Sequence, residues 1–448
     1  MRDGPDFNST ILIVTAQLDH GGLETRLRGE LCNLRARGAR IILATGADET
    51  VLESIGIVVD RAYCDLPFRR ALNVSLLKQL VAQLAGIIES EEVDEIWGHP
   101  FVSIFPAMLA GELKGCARRL VLHGPVSLSD QEYGVFWNLV LRQFMLPHAE
   151  QIISVSRETD ALAHEASFAP LRHSLIMENG IDTAVYRPTR LHQPVRRRIL
   201  VVSRLDRPRI RAIMPLLKLL QPFQGWSIDF AGDGVALARL KRAVRLYGYS
   251  PERVRYLGVR HDIAQLQGEY DVIAANGRAF LEGASANKFC VLIGPEAPPF
   301  LVRKADFEEL RRANYSGRGI SVSRRDLSHD FKNIDTLDPE DFMLRDMVLE
   351  YADERRIANG LQPLKTYSSE TPICKLADYL LRDVDFPDVA VSRHPKVLRR
   401  LRGLPWSAEA SLAFQDYYID FLEASRKELN DKLWKAQNAL AKAVEASQ

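Results

Sequence analysis

The sequence predicts an α/β protein of two domains, each built on a parallel sheet, that face each other across a cleft and are followed by a helical extension. Short apolar runs alternate with longer amphipathic stretches, and the proline-containing stretch Pro188–Pro194 separates two series of such runs. Alternating strands and helices favour right-handed crossovers and a sheet that is covered on both faces. We expect the domains at residues 1–190 and 195–325, and a mostly helical extension at residues 326–448.

Apolar runs of strand length predict the two sheets. In the first domain the predicted strands are Ile11–Thr15, Arg40–Thr45, Glu95–Trp97, Leu120–Leu122 and Gln151–Val155. In the second domain they are Ile199–Val202, Ser227–Ala231, Val254–Leu257, Asp271–Ala274 and Cys290–Ile293. A helix is predicted over Leu76–Ile88, because its apolar residues recur at the spacing of one helix face. Open sheets of this kind bind ligands beyond the carboxyl ends of their strands.

The pattern changes in the extension. Residues 324–340 are polar and predict a loop, whereas residues 410–446 predict one or two long helices. Apolar residues recur there at alternating spacings of four and three, at Leu429, Leu433, Ala436, Leu440 and Ala443. This short heptad-like seam could pack on the protein's own body, or it could bind a partner or a second copy of the chain.

Composition limits the possible function classes. The 448 residues are 46% hydrophobic and 26% charged, which is ordinary for globular proteins. The net charge of +1 argues against a protein that mainly coats nucleic acid. The five cysteines form no Cys-x-x-Cys pair, so neither a zinc knuckle nor a disulfide framework is indicated. Because no apolar run reaches the roughly 18 residues of a membrane span and the start lacks a signal-peptide pattern, we expect a cytoplasmic protein.

Glycine turns follow two of the predicted strands. Gly21 and Gly22 stand between the first strand and a helix that runs to about Arg37. Two glycines let backbone amides approach a ligand closely, and a helix N-terminus favours negative charge. The same pattern occurs in simple tight turns, so both interpretations stay open. Gly232 and Asp233 form a second strand-to-turn junction.

Charged residues follow two strands of the second domain. Arg204 and Arg209 come after its first strand, where they could neutralise a diphosphate or belong to a solvated charge run. Gly277 and Arg278 open a helix after its fourth strand, and Glu282 follows in that helix. A carboxylate at this point could cap the helix, form an ion pair or bind a ribose.

The order of these motifs resembles the retaining GT-B glycosyltransferases, specifically the large family numbered four. The resemblance runs from about Ile11 to Gly294. The matching motifs are Gly21-Gly22 with Glu24, Leu122-His123-Gly124, Asn179-Gly180-Ile181-Asp182 with Pro188, Ser203-Arg204-Leu205, Ala231-Gly232-Asp233-Gly234, and Glu282. This resemblance implies two Rossmann-like domains that bind a nucleotide-diphosphate sugar between them.

The resemblance also implies a role for each matching residue. Arg204 would hold the donor's diphosphate and offset the charge that develops on the leaving group. Arg209 stands where the family has a lysine; it keeps the charge but changes the hydrogen-bond geometry. His123 would contact the transferred sugar, and Glu282 would bind the ribose. The rest of the implied donor site is Gly21, Gly22, Gly232, Asp233, Gly277 and Arg278. No protein-bound metal and no cofactor other than the donor substrate is implied.

Two positions depart from the family pattern. Family members usually carry a second glutamate, with seven residues between it and the ribose-binding one, and here that position is Ala274. The sequence Asn276-Gly277-Arg278 is instead similar to a variant subgroup, and Asn287-Lys288 replaces a usual glycine. Two alternatives to a glycosyltransferase therefore stay open. One is a binding or scaffolding subunit of the same shape without turnover, and the other is a sugar-nucleotide epimerase or related enzyme.

The expected partners are a nucleotide sugar and a glycan, lipid-linked or other acceptor, with no nucleic acid. A basic cluster in the extension consists of Arg393, Lys396, Arg399, Arg400 and Arg402. Apolar residues lie among these cations, so the cluster could hold the protein peripherally on an anionic membrane, or it could be a solvated face. The heptad-like seam would allow a homo-oligomer.

Overall fold

Two sheets, one in each half of the chain, organise the structure. The computed structural model describes residues 7–18, 22–69, 72–129, 134–189, 195–294, 296–320 and 326–364. Within these residues, the first sheet has seven strands and the second has six. The two largely parallel sheets confirm the predicted fold class of two Rossmann-like domains.

The first domain contains the seven-stranded sheet. Its strands are β1 Thr10–Thr15, β2 Arg40–Thr45, β3 Arg61–Tyr63, β4 Glu95–Gly98, β5 Ala117–Leu122, β6 Gln151–Ser154 and β7 Ser174–Ile176. They lie in the order β3-β2-β1-β4-β5-β6-β7, and all neighbours pair in parallel. Its helices are α1 Gly22–Ala36, α2 Glu49–Ile55, α3 Val74–Glu91, α4 Ile104–Lys114, α5 Val135–Val140 and α6 Arg157–Ala166.

Local sequence sets several of these helix boundaries. The side chains of Asp48, Asn73 and Ser156 each accept a hydrogen bond from a backbone amide three residues later, at the starts of α2, α3 and α6. Such caps satisfy amides that the helix itself leaves without partners.

The second domain contains the six-stranded sheet. Its strands are β8 Arg198–Val202, β9 Ser227–Ala231, β10 Val254–Gly258, β11 Val272–Ala275, β12 Phe289–Leu292 and β13 Phe300–Leu301. The order is β10-β9-β8-β11-β12-β13, with β13 antiparallel to β12. The helices that follow β8 are α7 Arg207–Leu220, α8 Leu237–Leu246, α9 Ile263–Leu266, α10 Gly277–Ser285, α11 Phe307–Arg312, α12 Leu327–Lys332, α13 Pro339–Phe342, α14 Arg345–Tyr351 and α15 Glu354–Ala358.

Each sheet reverses its strand order at one point. In the first sheet β2 and β4 flank β1, and in the second β9 and β11 flank β8. The chain leaves such neighbouring strands in opposite directions, which opens a crevice beyond their carboxyl ends. In the second domain this crevice lies between the loops that follow β8 and β11.

The prediction of a loop at residues 324–340 is wrong for residues 326–340, the part that the structure describes. Residues 327–342 form α12, a short 3-10 turn and α13. Leu327, Phe331 and Ile334 are buried in the core of the second domain, at the spacing of one helix face. The core continues through α14 to Ala352, which is also buried. The second domain therefore extends beyond the boundary predicted at residue 325.

The segment that joins the two domains is held from both sides. The Asn179 side chain accepts a hydrogen bond from the Arg26 guanidinium at 2.9 Å and donates one to the Asn314 side chain at 3.1 Å. A Cβ atom on Gly180 would lie 2.6 Å from the Cα atom of Glu354. Backbone packs so closely there that only glycine fits without displacement. The predicted inter-domain motif thus builds the joint itself.

After α14 the chain returns to the first domain. Helix α15 packs against α1, and the Arg37 guanidinium donates to the carbonyls of Ala358 at 2.5 Å and Leu361 at 2.7 Å. The Leu364 amide donates to the Glu95 carboxylate at 2.7 Å. Residues 354–364 therefore bind the first domain to the end of the second.

Several predictions fall outside the described residues. They include Gly21, most of the Pro188–Pro194 stretch, the basic cluster at residues 393–402 and the tail helices at residues 410–446. Among the helices that are described, none combines the length and the apolar character that crossing a membrane would need.

Candidate active site

The turn after β8 rests on two glycines of the turn after β9. A Cβ atom on Gly232 would lie 2.0 Å from the carbonyl oxygen of Ser203, and one on Gly234 would lie 2.6 Å from that of Leu205. Both glycines also have positive φ angles, 141° and 157°. The Leu205 amide donates to the Asp233 carbonyl at 2.8 Å. Close backbone contact therefore fixes the conformation of this turn.

The fixed turn presents Arg204 at the carboxyl end of β8. Its side chain is exposed, and no described carboxylate forms an ion pair with it. It lies where the second sheet reverses its strand order, between the ends of β9 and β11. A guanidinium on a rigid turn at such a point can bind an anion through charge-assisted hydrogen bonds. This location meets the geometric requirement of the diphosphate role, which stays a prediction.

Arg209 is already engaged within its own helix. Asp206 caps α7, and its carboxylate accepts from the Arg209 amide at 3.0 Å and from the Arg209 guanidinium. About half of the guanidinium side chain remains exposed (44%). A donor phosphate would have to compete with Asp206 for Arg209. The structure therefore brings Arg204 and Arg209 to one edge but leaves only Arg204 without a carboxylate partner among the described residues.

The position of the family's second glutamate lies inside β11, not in the junction between β11 and α10. A single residue, Asn276, separates the strand from the helix. Ala274 lies within the strand, fully buried in the apolar core of the second domain. A carboxylate at that position would be buried without water. At the start of α10, Gly277 has a φ angle of 57° and its amide donates to the Tyr315 carbonyl at 2.8 Å.

Arg278 and Glu282 lie next to each other at the joint between the domains. The Arg278 Nε atom is 3.4 Å from the Glu282 carboxylate, and its guanidinium donates to the Gly180 carbonyl. Burial raises the pKa of the Glu282 carboxyl, an effect that Arg278 and the Tyr186 hydroxyl oppose. Arg278 thus has structural partners here. The donor-binding roles of both residues stay predictions, and ribose binding would require Glu282 to exchange these contacts.

The carboxyl edge of the first sheet brings two histidines together. His99 follows β4 and His123 follows the neighbouring β5, and their Nδ1 and Nε2 atoms are 3.0 Å apart. Burial, with Arg26 nearby, lowers the pKa of His99 to about 3. Burial, His99 and Arg26 lower the pKa of His123 well below its usual value. Both rings are therefore neutral near pH 7. Only His123 was predicted to act in the site.

The start of α1 completes this edge of the first domain. Gly22 is the first residue of α1, which follows the carboxyl end of β1, and Glu24 is buried in the first turn. Further along α1, Arg26 is buried and donates to the Met177 carbonyl at 2.9 Å. Arg26 and Glu30 also line a small cavity between α1, the joint and α15. The predicted anion-binding role of the Gly21-Gly22 turn stays a prediction.

The carboxyl edges of the two sheets face each other. Glu158, in the first turn of α6 beyond β6, accepts two hydrogen bonds from Arg318, from Nε at 2.9 Å and from a terminal nitrogen at 2.6 Å. Arg318 belongs to the loop that covers the end of β12, where a Cβ atom on Gly294 would lie 2.7 Å from the Ser316 carbonyl oxygen. This ion pair spans the two domains at the edges that carry His123 and Arg204.

The second departure from the family pattern lies at the opposite edge. Asn287 takes a left-handed conformation, with a φ angle of 55°, just before β12 begins. Burial lowers the pKa of the adjacent Lys288 to about 8, which Asp271 opposes. Asn287 and Lys288 directly precede β12, so they lie at the amino edge of the second sheet, whereas Arg204 lies at its carboxyl edge. Among the described residues, no three His, Cys, Asp or Glu side chains converge as a metal site.

A family comparison covers the first domain. Residues 20–185 match the family described as Glycosyltransferase Family 4. This match confirms the resemblance that the sequence motifs predicted. The first domain is therefore similar to that of family 4 glycosyltransferases. Among curated proteins, none matches the sequence.

Solved structures resemble both domains together. HepE from Anabaena, in complex with UDP and glucose, has a TM-score of 0.59 at 19% identity, over 78% of this chain and 97% of that one. A glycosyltransferase from Rickettsia africae gives 0.60 at 15% identity, over 84% and 100%. Sucrose-phosphate synthase from Thermosynechococcus elongatus gives 0.59 at 16%, over 78% and 96%. These likenesses show that the two domains adopt the GT-B fold.

Proposed function

We propose that this chain, whose residues 20–185 match the family 4 glycosyltransferases, moves a sugar with retention from a nucleotide-diphosphate sugar to a glycan, lipid-linked or other acceptor. The observation that carries this proposal is the position of Arg204. It is an exposed guanidinium on a fixed turn, at the strand-order reversal of one sheet and facing the carboxyl edge of the other. Because HepE forms a complex with UDP and glucose, UDP-sugars are the first donors to test.

In this proposal, the second domain binds the diphosphate by charge. Arg204 would neutralise the leaving phosphate as the bond to the sugar breaks, which stabilises the transition state more than the ground state. The start of α10 lies across the same crevice, and the N-terminus of a helix attracts anions. The glycine turn at Gly232 would keep Arg204 in place without reorganisation during the reaction.

The first domain would contribute the neutral histidine pair. His123 would contact the sugar as a hydrogen-bond partner, since a ring that stays neutral adds no positive charge beside a developing oxocarbenium ion. His99 would hold the ring of His123 in one orientation through their shared hydrogen bond. His99 is thus a positioning residue in this account.

Two observations favour a second candidate, a nucleotide-binding subunit without turnover. Ala274 lies in the core at the position of a family glutamate, and Glu282 is engaged by Arg278. A subunit of this kind would still bind a nucleotide at Arg204. It would release no nucleotide from a bound donor.

The experiment is a panel of UDP-, GDP- and ADP-sugars, incubated with the protein without acceptor, in which free nucleotide and free sugar are measured over time. Slow release of nucleotide from one donor is the expected result, and the anomeric form of the first sugar product, observed by NMR, tests retention. Tight nucleotide binding without release from any donor would favour the binding subunit. Recovery of an epimerised donor would favour an epimerase.

A further inference from the structure

Helix α8 of the second domain has one strongly basic face. Its ten residues, Leu237–Leu246, contain no acidic side chain. Its cations are Arg239, Lys241, Arg242 and Arg245, and all four are exposed. The opposite side of the helix, with Leu240, Ala243 and Val244, is buried in the domain core. The charges therefore point outward as a set, and no described carboxylate forms an ion pair with any of them.

The basic face is bounded by two exposed apolar side chains. Val235 precedes the helix and is 92% exposed, and Leu246 ends it and is 76% exposed. Among the described residues, no other large apolar side chain is as exposed as these two. Placing both in water has a free-energy cost that burial in an apolar phase would remove. The apolar face of α8 packs in the core, so any contact with a membrane would use the exposed cations together with these two apolar side chains.

The neighbouring elements leave this face basic. On one side, α7 packs against α8 and adds the exposed cations Arg211 and Lys218. The acidic residues in the flanking turns are Asp233 and Glu252, one beyond each end of α8. The acidic segment around α12 contacts α7 on the same side of the sheet, so α7 connects the two regions. The exposed face of α8 itself therefore carries cations and no carboxylate.

We propose that α8 is a docking surface for an anionic lipid bilayer. Arg239, Arg242 and Arg245 would lie against lipid phosphates, while Val235 and Leu246 would enter the headgroup layer. At ten residues the helix is about 15 Å long, which suits an orientation flat on the surface. A nucleic acid could bind the cations, but it offers no apolar phase in which Val235 and Leu246 could be buried. This surface is independent of the proposed transfer reaction and of the basic cluster at residues 393–402.

The test is co-sedimentation of the full chain with phosphatidylcholine vesicles, with and without phosphatidylglycerol, at low ionic strength. The α8 variant is Arg239→Gln, Arg242→Gln and Arg245→Gln. The control variant, Arg61→Gln, Arg172→Gln and Arg312→Gln, removes the same charge from exposed positions elsewhere. We expect binding only to the anionic vesicles. The α8 variant should bind on the order of a hundredfold more weakly, because each cation near an anionic surface contributes roughly fivefold.

A second variant separates lipid from other polyanions. Val235→Ser with Leu246→Ser should weaken vesicle binding and leave retention on a heparin column unchanged, because only the bilayer offers an apolar phase. Three results would overturn the proposal. They are no binding of the unaltered protein to anionic vesicles, equal losses in the α8 and control variants, and unchanged vesicle binding by Val235→Ser with Leu246→Ser. Circular dichroism of each variant confirms that it is folded.

Discussion

The hydrogen bond between His99 and His123 constrains where their protons lie. Because both rings are neutral, one of the two nitrogens that are 3.0 Å apart, Nδ1 of His99 and Nε2 of His123, donates a hydrogen bond and the other accepts it. The other ring nitrogen of His99, Nε2, is buried without a hydrogen-bond partner among the described residues. A buried N–H without an acceptor is rare in folded proteins. We therefore expect His99 to carry its proton on Nδ1 and to donate it to Nε2 of His123. His123 then carries its own single proton on Nδ1.

The low pKa of His99 makes folding stability depend on pH. In the unfolded chain this histidine gains a proton as the pH falls through 6.5, whereas in the folded protein it stays neutral down to about pH 3. The contribution that neutral His99 makes to the free energy of unfolding therefore decreases as the pH falls below 6.5. Buried carboxyls with raised pKa values, such as Glu282, have the opposite effect.

The variant His99→Asn separates the pH dependence due to His99 from that of the other groups. Those groups titrate in both proteins, so their effect is absent from the difference between the two unfolding free energies. We expect the unfolding free energy of the unaltered protein, minus that of the variant, to fall by at most about 1.4 kcal/mol for each pH unit between pH 6 and pH 4. Chemical denaturation over this pH range measures the difference. A constant difference would show that His99 titrates normally in the folded protein.

Of these two histidines, only His123 could be identified as a site residue from the sequence. Both histidines follow predicted strands, but only His123 belongs to a family motif. The partnership depends on β4 and β5 being neighbours, which the spacing along the chain does not specify. Arg26 was missed for another reason. An arginine and a glutamate four residues apart on a helix usually form a surface ion pair, yet here Arg26 and Glu30 are both buried at the joint.

At the scale of elements, the turns after β8 and β9 act as one unit. Gly232 and Gly234 let the second turn pack directly on the backbone of the first. Arg204 therefore owes its position to residues nearly thirty places further along the chain. A change in the supporting turn should affect ligand binding without touching the guanidinium.

The substitution Gly232→Ala tests this dependence. The added Cβ atom would collide with the Ser203 carbonyl oxygen, in addition to the cost of a positive φ angle. Gly248→Ala is the matched control, because Gly248 has a φ angle of 73° but open space around it. We expect the control to lose about 1 kcal/mol of stability, and Gly232→Ala to lose at least about 2 kcal/mol more together with nucleotide affinity. Equal losses in the two variants, measured by denaturation, would contradict the account.

The longer elements were predictable and the shorter ones were not. Buried apolar runs such as the one at β8 appear as strands in both sequence and structure. Strand β3 has three residues and is only partly buried, so it has no such run, and β13 has two residues. The apolar residues of α12 are separated by polar ones, so the segment resembles a loop until its partners in the core are known.

At the scale of the whole molecule, ion pairs connect the two domains. Glu158 and Arg318 join the carboxyl edges, and Glu178 and Arg311 join the linking segment to α11 at 2.7 Å. The first pair joins the two carboxyl edges and is about one-quarter exposed (30% and 26%). It is therefore screened by water less than a fully exposed pair.

A double-mutant cycle measures this contact. We expect Glu158→Gln and Arg318→Gln to show a coupling energy of about 1 kcal/mol in unfolding free energy, since the bonding is bidentate. The control cycle uses Arg35 and Asp60, a similarly exposed single contact within the first domain. Only the first cycle should also change the inter-domain distance, measured by small-angle scattering. A coupling energy of zero would mean that the domains meet without help from this pair.

The central claim is that Arg204 holds a diphosphate between the domains. The most direct test is the thermal shift produced by UDP and GDP in the unaltered protein, in Arg204→Ala and in Arg211→Ala, where Arg211 is an exposed arginine further along α7. A ligand that binds only the folded state raises Tm. We expect one nucleotide to raise the Tm of the unaltered protein and of Arg211→Ala, and Arg204→Ala to bind it roughly ten- to a hundredfold more weakly. An undiminished shift in Arg204→Ala would contradict the account.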